Sequence, residues 1–129
     1  MLAAFIVRKP GSGAIAMTIN GFGQVYLNRT HEPHLLYGVA GLGADLVFAL
    51  YGYKRYDARV VALAGVAAGL FWYPVVYATH GVYLYPITFV ALDLIGRVVG
   101  SAIGNGLLGA AIGVVAIKAS SLRGQARPA

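Results

Sequence analysis

Long apolar runs, separated by short gaps that hold most of the basic residues, constrain this chain more than any other feature. A helix needs ~20 mostly apolar residues to cross the hydrocarbon of a bilayer. Residues 10–28, 33–53, 60–79 and 84–118 are the candidate spans. The last is too long for one straight crossing at ~1.5 Å per residue. It is expected to tilt, to bend at Gly104, Gly106 or Gly109, or to leave the membrane before Lys118. No sustained alternation of period two argues for a barrel. Charged residues make up 11% of the chain, against about 25% in a soluble domain. The acids Glu32, Asp45, Asp57 and Asp93 are too few to solvate a globule of 129 residues. The expected fold is all-α: a polytopic transmembrane helix bundle over residues 1–119, with four full spans and an N-terminal helix fragment. A flexible cytoplasmic tail is expected over residues 120–129.

The basic residues also set an orientation, because cytoplasmic gaps are enriched in Lys and Arg. Arg8 and Lys9 precede the first span. Lys54, Arg55 and Arg59 separate the second and third, and Lys118, Arg123 and Arg127 follow the fourth. Eight of the ten basic residues therefore fall on one side, which places the C-terminus in the cytoplasm. The net charge of +6 is read as this bias. The sequence has no interleaved aromatic and basic pattern for RNA, so no nucleic acid is expected as a partner. The chain has no cysteine, which excludes disulfide and thiolate chemistry.

The outer face collects recognition chemistry. His31, His34 and His80 fall there, level with Tyr26, Asn28, Glu32, Tyr77, Tyr83 and Tyr85. Trp72 and Tyr73 lie about two turns below on the third span. Such rings form interfacial belts, or they wall a pocket for a flat, polar, aromatic ligand. His31 and His34 form an H-x-x-H with no third ligand defined, so no metal is expected.

Several groups do not belong in lipid. Asp45 lies inside the second span, and Asp93 and Arg97 lie inside the fourth. Charges at that depth normally face protein or water. Asp93 and Arg97 are four apart and share a helix face, which suits a self-neutralising structural pair. Asp45 has no local partner. Asn20 and Gln24 present one polar face of the first span, and Asn105 adds another polar group on the fourth. Three polar helix faces imply an inward cleft. Gly96, Gly100 and Gly104 repeat every four residues, as do Gly65 and Gly69, and Gly109 and Gly113. Small-xxx-small spacing lets helix backbones approach closely. There is no P-loop, G-x-S-x-G or H-E-x-x-H, so no enzyme is expected and no cofactor is implied.

With these residues in view, the chain resembles the YkoE-type hydroxymethylpyrimidine/thiamine permease family. These are substrate-binding S components of energy-coupling factor (ECF) transporters. The likeness rests on R-K-P-G at 8–11, G-L-G-A-D-L-V-F at 41–48 and R-V-V-G-S-A-I-G-N-G-L-L-G at 97–109. Members of that family have six spans. The resemblance therefore implies a chain without the first two helices, residues 1–7 being the end of a helix cut short. The first helix of S components carries the small residues that dock the coupling subunit. Some relatives carry acids in the span that here holds Met17 and Gln24, which weakens the transfer of thiamine specificity to this chain.

The resemblance implies a membrane receptor subunit for thiamine or its hydroxymethylpyrimidine precursor. Its partners would be a transmembrane coupling subunit and two ATPase subunits. By side and depth, the candidate ligand contacts are Gln24, Asn28, His34, Trp72, Tyr73, Tyr77, His80 and Tyr85, with Asp45 deeper. Asp93, Arg97, Gly96, Gly100 and Gly104 are expected to be structural. Two other classes remain open: a non-transporting membrane subunit that packs through its glycine faces, and a homo-oligomeric channel.

Overall fold

The computed structural model describes residues 9–28 and 36–125, with side chains described at 9–27 and 36–119. Helix α1 is Ser12–Asn28, α2 is Tyr37–Leu50 and α3 is Ala58–Thr79. A 3-10 turn, Val82–Leu84, leads into α4, Ile87–Ser101. A π-helical segment, Ala102–Leu108, joins α4 without a break to α5, Gly109–Gln125. No strand occurs among the described residues. The all-α fold expected from the apolar runs is the fold observed.

Local chemistry sets the boundaries. Helix α2 stops at Leu50 rather than at residue 53. Gly52 takes φ 62°, which glycine adopts at no steric cost. Its N–H donates to the Ala49 carbonyl, and the Tyr53 N–H donates to that of Phe48, both at 2.8 Å. This is a Schellman closure, in which a left-handed residue ends the helix and satisfies its last carbonyls. Helix α3 starts at Ala58, two residues early, because Asp57 caps it. The Asp57 carboxylate accepts from the Arg59 and Val60 amides, each at 3.1 Å.

The last rod runs through its glycines without a break in helical structure. It stays helical over the 33 residues from Ile87 to Ala119, about 50 Å at ~1.5 Å per residue. That exceeds the ~30 Å of a hydrocarbon core, so one end projects beyond it. The low helix propensity of Gly104 and Gly106 is absorbed by π-type bonding, the Gly109 N–H reaching back to the Gly104 carbonyl. The helix continues through Gln125, past residue 120 where the loose tail was expected. Helices α3 and α4–α5 are long and apolar enough to cross a membrane, and α2 is a shorter apolar helix.

Consecutive helices pack side by side, α1 on α2, α2 on α3, and α3 on α4 and the π segment. The core is the α2–α3 interface, where Ala40, Ala44 and Phe48 meet Val60, Val61, Ala64 and Ala68. Helix α1 and the last rod do not pack closely on each other. Two glycines set the approach of the other pairs. A Cβ on Gly41 would stand 2.5 Å from Ala14 Cα, and one on Gly65 would stand 2.7 Å from the Ser101 carbonyl oxygen. By contrast, a Cβ on Gly96, Gly100 or Gly104 meets nothing within 4 Å. These three were expected to hold helices together. On the rod the packing seam instead uses Gly106, on a different face, against α3, where Gly65 and Gly69 take the close-packing role their spacing implied.

These contacts predict a split among the glycines. Gly41→Val and Gly65→Val should each lower thermal stability in detergent, by ~1–3 kcal/mol or more, because backbone cannot yield as a side chain can. Gly96→Ala should leave the melting temperature within a degree or two, or raise it slightly. Size-exclusion-monitored melting checks both.

Candidate functional site

The open edge between α1 and the last rod forms a cleft of ≈ 490 Å³, within the roughly 300–1,000 Å³ of small-molecule sites. Helix α1 contributes Met17, Asn20 and Gln24, the two amides lying one turn apart on the same face. Helix α2 gives Tyr37 and Ala40, and α3 gives Ala68, Gly69 and Trp72. The fourth wall is Arg97, Gly100 and Ser101 of α4 with Gly104 and Asn105 of the π segment. Gly100 and Gly104 thus lack side chains where the cleft needs room.

The π segment shapes this wall. One extra residue in the turn shifts the register of everything beyond it, and such segments gather at functional sites. Here Gly104 and Asn105 line the cleft while Gly106 is buried against the Val61 carbonyl of α3. Asn105 Nδ2 donates to Ser101 Oγ at 3.2 Å. Tyr37 and Trp72 meet edge to face, with centroids 4.5 Å apart and planes at 69°, a favourable quadrupolar arrangement. Arg97 Nε donates to both oxygens of Asp93 at 2.9 Å. Its Nη groups make no hydrogen bond among the described residues. Arg97 lines the cleft and Asp93 does not.

The cleft brings together only part of the expected set. Gln24 and Trp72 line it, whereas Asp45, Tyr73, Tyr77, His80 and Tyr85 do not. Asp45, expected as a deep ligand contact, is 6% exposed and caps α1. Its Oδ1 accepts from the Gly13 amide at 3.1 Å and its Oδ2 from the Ala14 amide at 2.9 Å. Tyr73 is a strut, its hydroxyl donating to the Val90 carbonyl at 3.0 Å. Tyr77 lies between Tyr73 and Tyr83, with centroids 6.3 and 5.9 Å away. Tyr85 stacks on Phe89 at the rim of the rod. His80 closes α3 as its C-cap. His31 and His34 lie outside the described residues, as does the side chain of Asn28. Arg97, Gly100 and Gly104, expected to be structural, face the cleft. Tyr37 and Ser101 carried no signal in the sequence. Asn20 and Asn105 did, as polar groups in apolar spans.

Comparison with known proteins now decides the family. The family model described as "ABC-type cobalt transport system, permease component" matches residues 1–71. The chain belongs to this family. It is also 28% identical, over 114 residues, to YkoE of Bacillus subtilis (strain 168), a protein named as an HMP/thiamine permease. That match covers 87% of this chain and 57% of YkoE. A solved structure titled "Crystal structure of an S-component of ECF transporter" superposes with a TM-score of 0.86 at 28% identity. It covers 95% of this chain and 64% of that one. The chain therefore spans about three-fifths of the length of these relatives. This permease component is a membrane protein with the fold of an ECF S component.

Proposed function

We propose that this chain is a membrane substrate-binding subunit of an ECF-type vitamin importer, and that it takes thiamine or its hydroxymethylpyrimidine precursor. The observation that carries the reading is the composition of the cleft. Two aromatic rings, three amides, a serine and one arginine line it. Rings stack on a flat heterocycle, and amides read its edges. The family description mentions cobalt. Among the described residues no group of three or more His, Cys, Asp or Glu is placed to hold a metal ion. The donor set therefore suits an organic ligand better than a bare cation. The names of YkoE and of the solved S component point the same way.

In this reading the subunit captures ligand from outside and does no covalent chemistry. A transmembrane coupling subunit and two ATPase subunits drive release inward. The cytoplasmic end is the one that carries Lys9, Lys54, Arg55, Arg59 and Lys118, by the positive-inside bias. Single thiols test this in right-side-out vesicles of a chain that lacks native cysteine. A membrane-impermeant maleimide should label Tyr83→Cys from outside and Lys54→Cys only after lysis. The opposite pattern would invert the topology.

Trp72 is the only tryptophan and lines the cleft, so it reports on binding. Its emission should saturate on titration with hydroxymethylpyrimidine or thiamine. Gly104→Leu should fill the cleft and weaken binding at least tenfold while the fold is retained. His80→Ala should leave affinity within about twofold. No response to either ligand, supported by isothermal titration, would instead favour a non-transporting packing subunit.

A further inference from the structure

The charges around the cleft bear on which of the two ligands it takes, and this inference rests on the function proposed above. A receptor for a cation normally places a carboxylate or an undisturbed aromatic face against it. The described walls of this cleft hold no carboxylate. Asp45 has both oxygens committed to the Gly13 and Ala14 amides. Asp93 is committed to Arg97 Nε through both oxygens. The remaining described acid, Asp57, caps α3 at the far end of the bundle.

Among the described residues, the one charged group that lines the cleft is positive. The Arg97–Asp93 pair is turned so that its cationic member lines the cavity, with the Nη groups still able to donate. The other polar groups are neutral: Asn20, Gln24, Asn105 and Ser101. Thiamine carries a permanent thiazolium charge, and hydroxymethylpyrimidine does not. A thiazolium entering here would lose water and meet a guanidinium in place of a counter-ion. A neutral aminopyrimidine offers ring nitrogens and a hydroxyl that accept from Arg97 and the amides, and an amino group that the amide oxygens accept. The tyrosine and tryptophan rings serve either ligand by stacking, so they do not decide between them.

We infer that the cleft selects an uncharged pyrimidine over its thiazolium-bearing conjugate, because the ionised residue among its described walls is Arg97. The test uses the full chain in lipid nanodiscs, with isothermal titration of three compounds. They are hydroxymethylpyrimidine, thiamine and the neutral thiophene isostere of thiamine, which keeps its size and removes its charge. Hydroxymethylpyrimidine and the isostere should both bind about tenfold tighter than thiamine, a gap of ~1.4 kcal/mol. A carboxylate in the wall should then close that gap. Gln24→Glu, and independently Asn105→Asp, should raise thiamine affinity relative to the isostere by about tenfold.

The outcomes separate cleanly. Thiamine binding as tightly as its isostere, or tighter, overturns this inference and leaves the receptor reading intact. An isostere as weak as thiamine assigns the preference to size, and also overturns it. If both folded variants keep the original ratio, charge is not the cause. Failure of all three compounds to bind removes the receptor reading and this inference together.

Discussion

Both carboxylate oxygens of Asp45 are held by backbone amides of α1, and the place of the cleft depends on that grip. The first amides of any helix lack partners within it. In hydrocarbon such groups cost several kcal/mol each if left alone. Asp45 satisfies two of them from α2, and its charge also suits the positive end of the α1 dipole. The neighbouring Gly41 lets the two backbones meet at the same level. Helix α1 is thus fastened near its N-terminal end, while its far half, with Asn20 and Gln24, faces the last rod across open space. A charge that looks like a ligand anchor is an anchor for a helix.

A second contact fixes the opposite wall. Gly65 of α3 approaches the backbone at Ser101 and Ala102, and Gly106 approaches Val61. The π segment between them lets one run of glycines serve two faces. Gly106 goes into the seam, and Gly100 and Gly104 leave space in the cleft. Glycine therefore works in two senses within a few residues, as contact and as room.

Much of the fold was legible in the sequence, because hydrocarbon requires long apolar runs and the helix caps are short-range signals. The end of α2 and the start of α3 lie three and two residues from the expected limits, set by Gly52 and Asp57. The polar faces of Asn20, Gln24 and Asn105 foretold an inward cleft. Its membership was less legible. Depth in the membrane can be counted along a helix, but the direction a side chain faces around the bundle depends on packing. Tyr77 and Tyr85 were expected level with one another and Tyr73 about two turns below, yet Tyr73 and Tyr77 pack together, Tyr73 bonds the Val90 carbonyl and Tyr85 packs on Phe89. The partner of Asp45 is main chain more than 30 residues away, which no spacing rule finds. The spacing of Gly96, Gly100 and Gly104 equals that of Gly65 and Gly69, so sequence alone cannot say which row is the seam. The π turn, which decides it, has no strong sequence signature beyond its glycines.

The central claim is that ligand sits between α1 and the π-bearing rod, and protection of a unique thiol tests it most directly. With no native cysteine, Ser101→Cys places one reactive group in the cleft wall and Tyr85→Cys places one at the rim. Saturating hydroxymethylpyrimidine or thiamine should slow methanethiosulfonate modification of the first at least fivefold and leave the second unchanged. Equal rates at Ser101→Cys with and without a ligand that demonstrably binds would contradict the account.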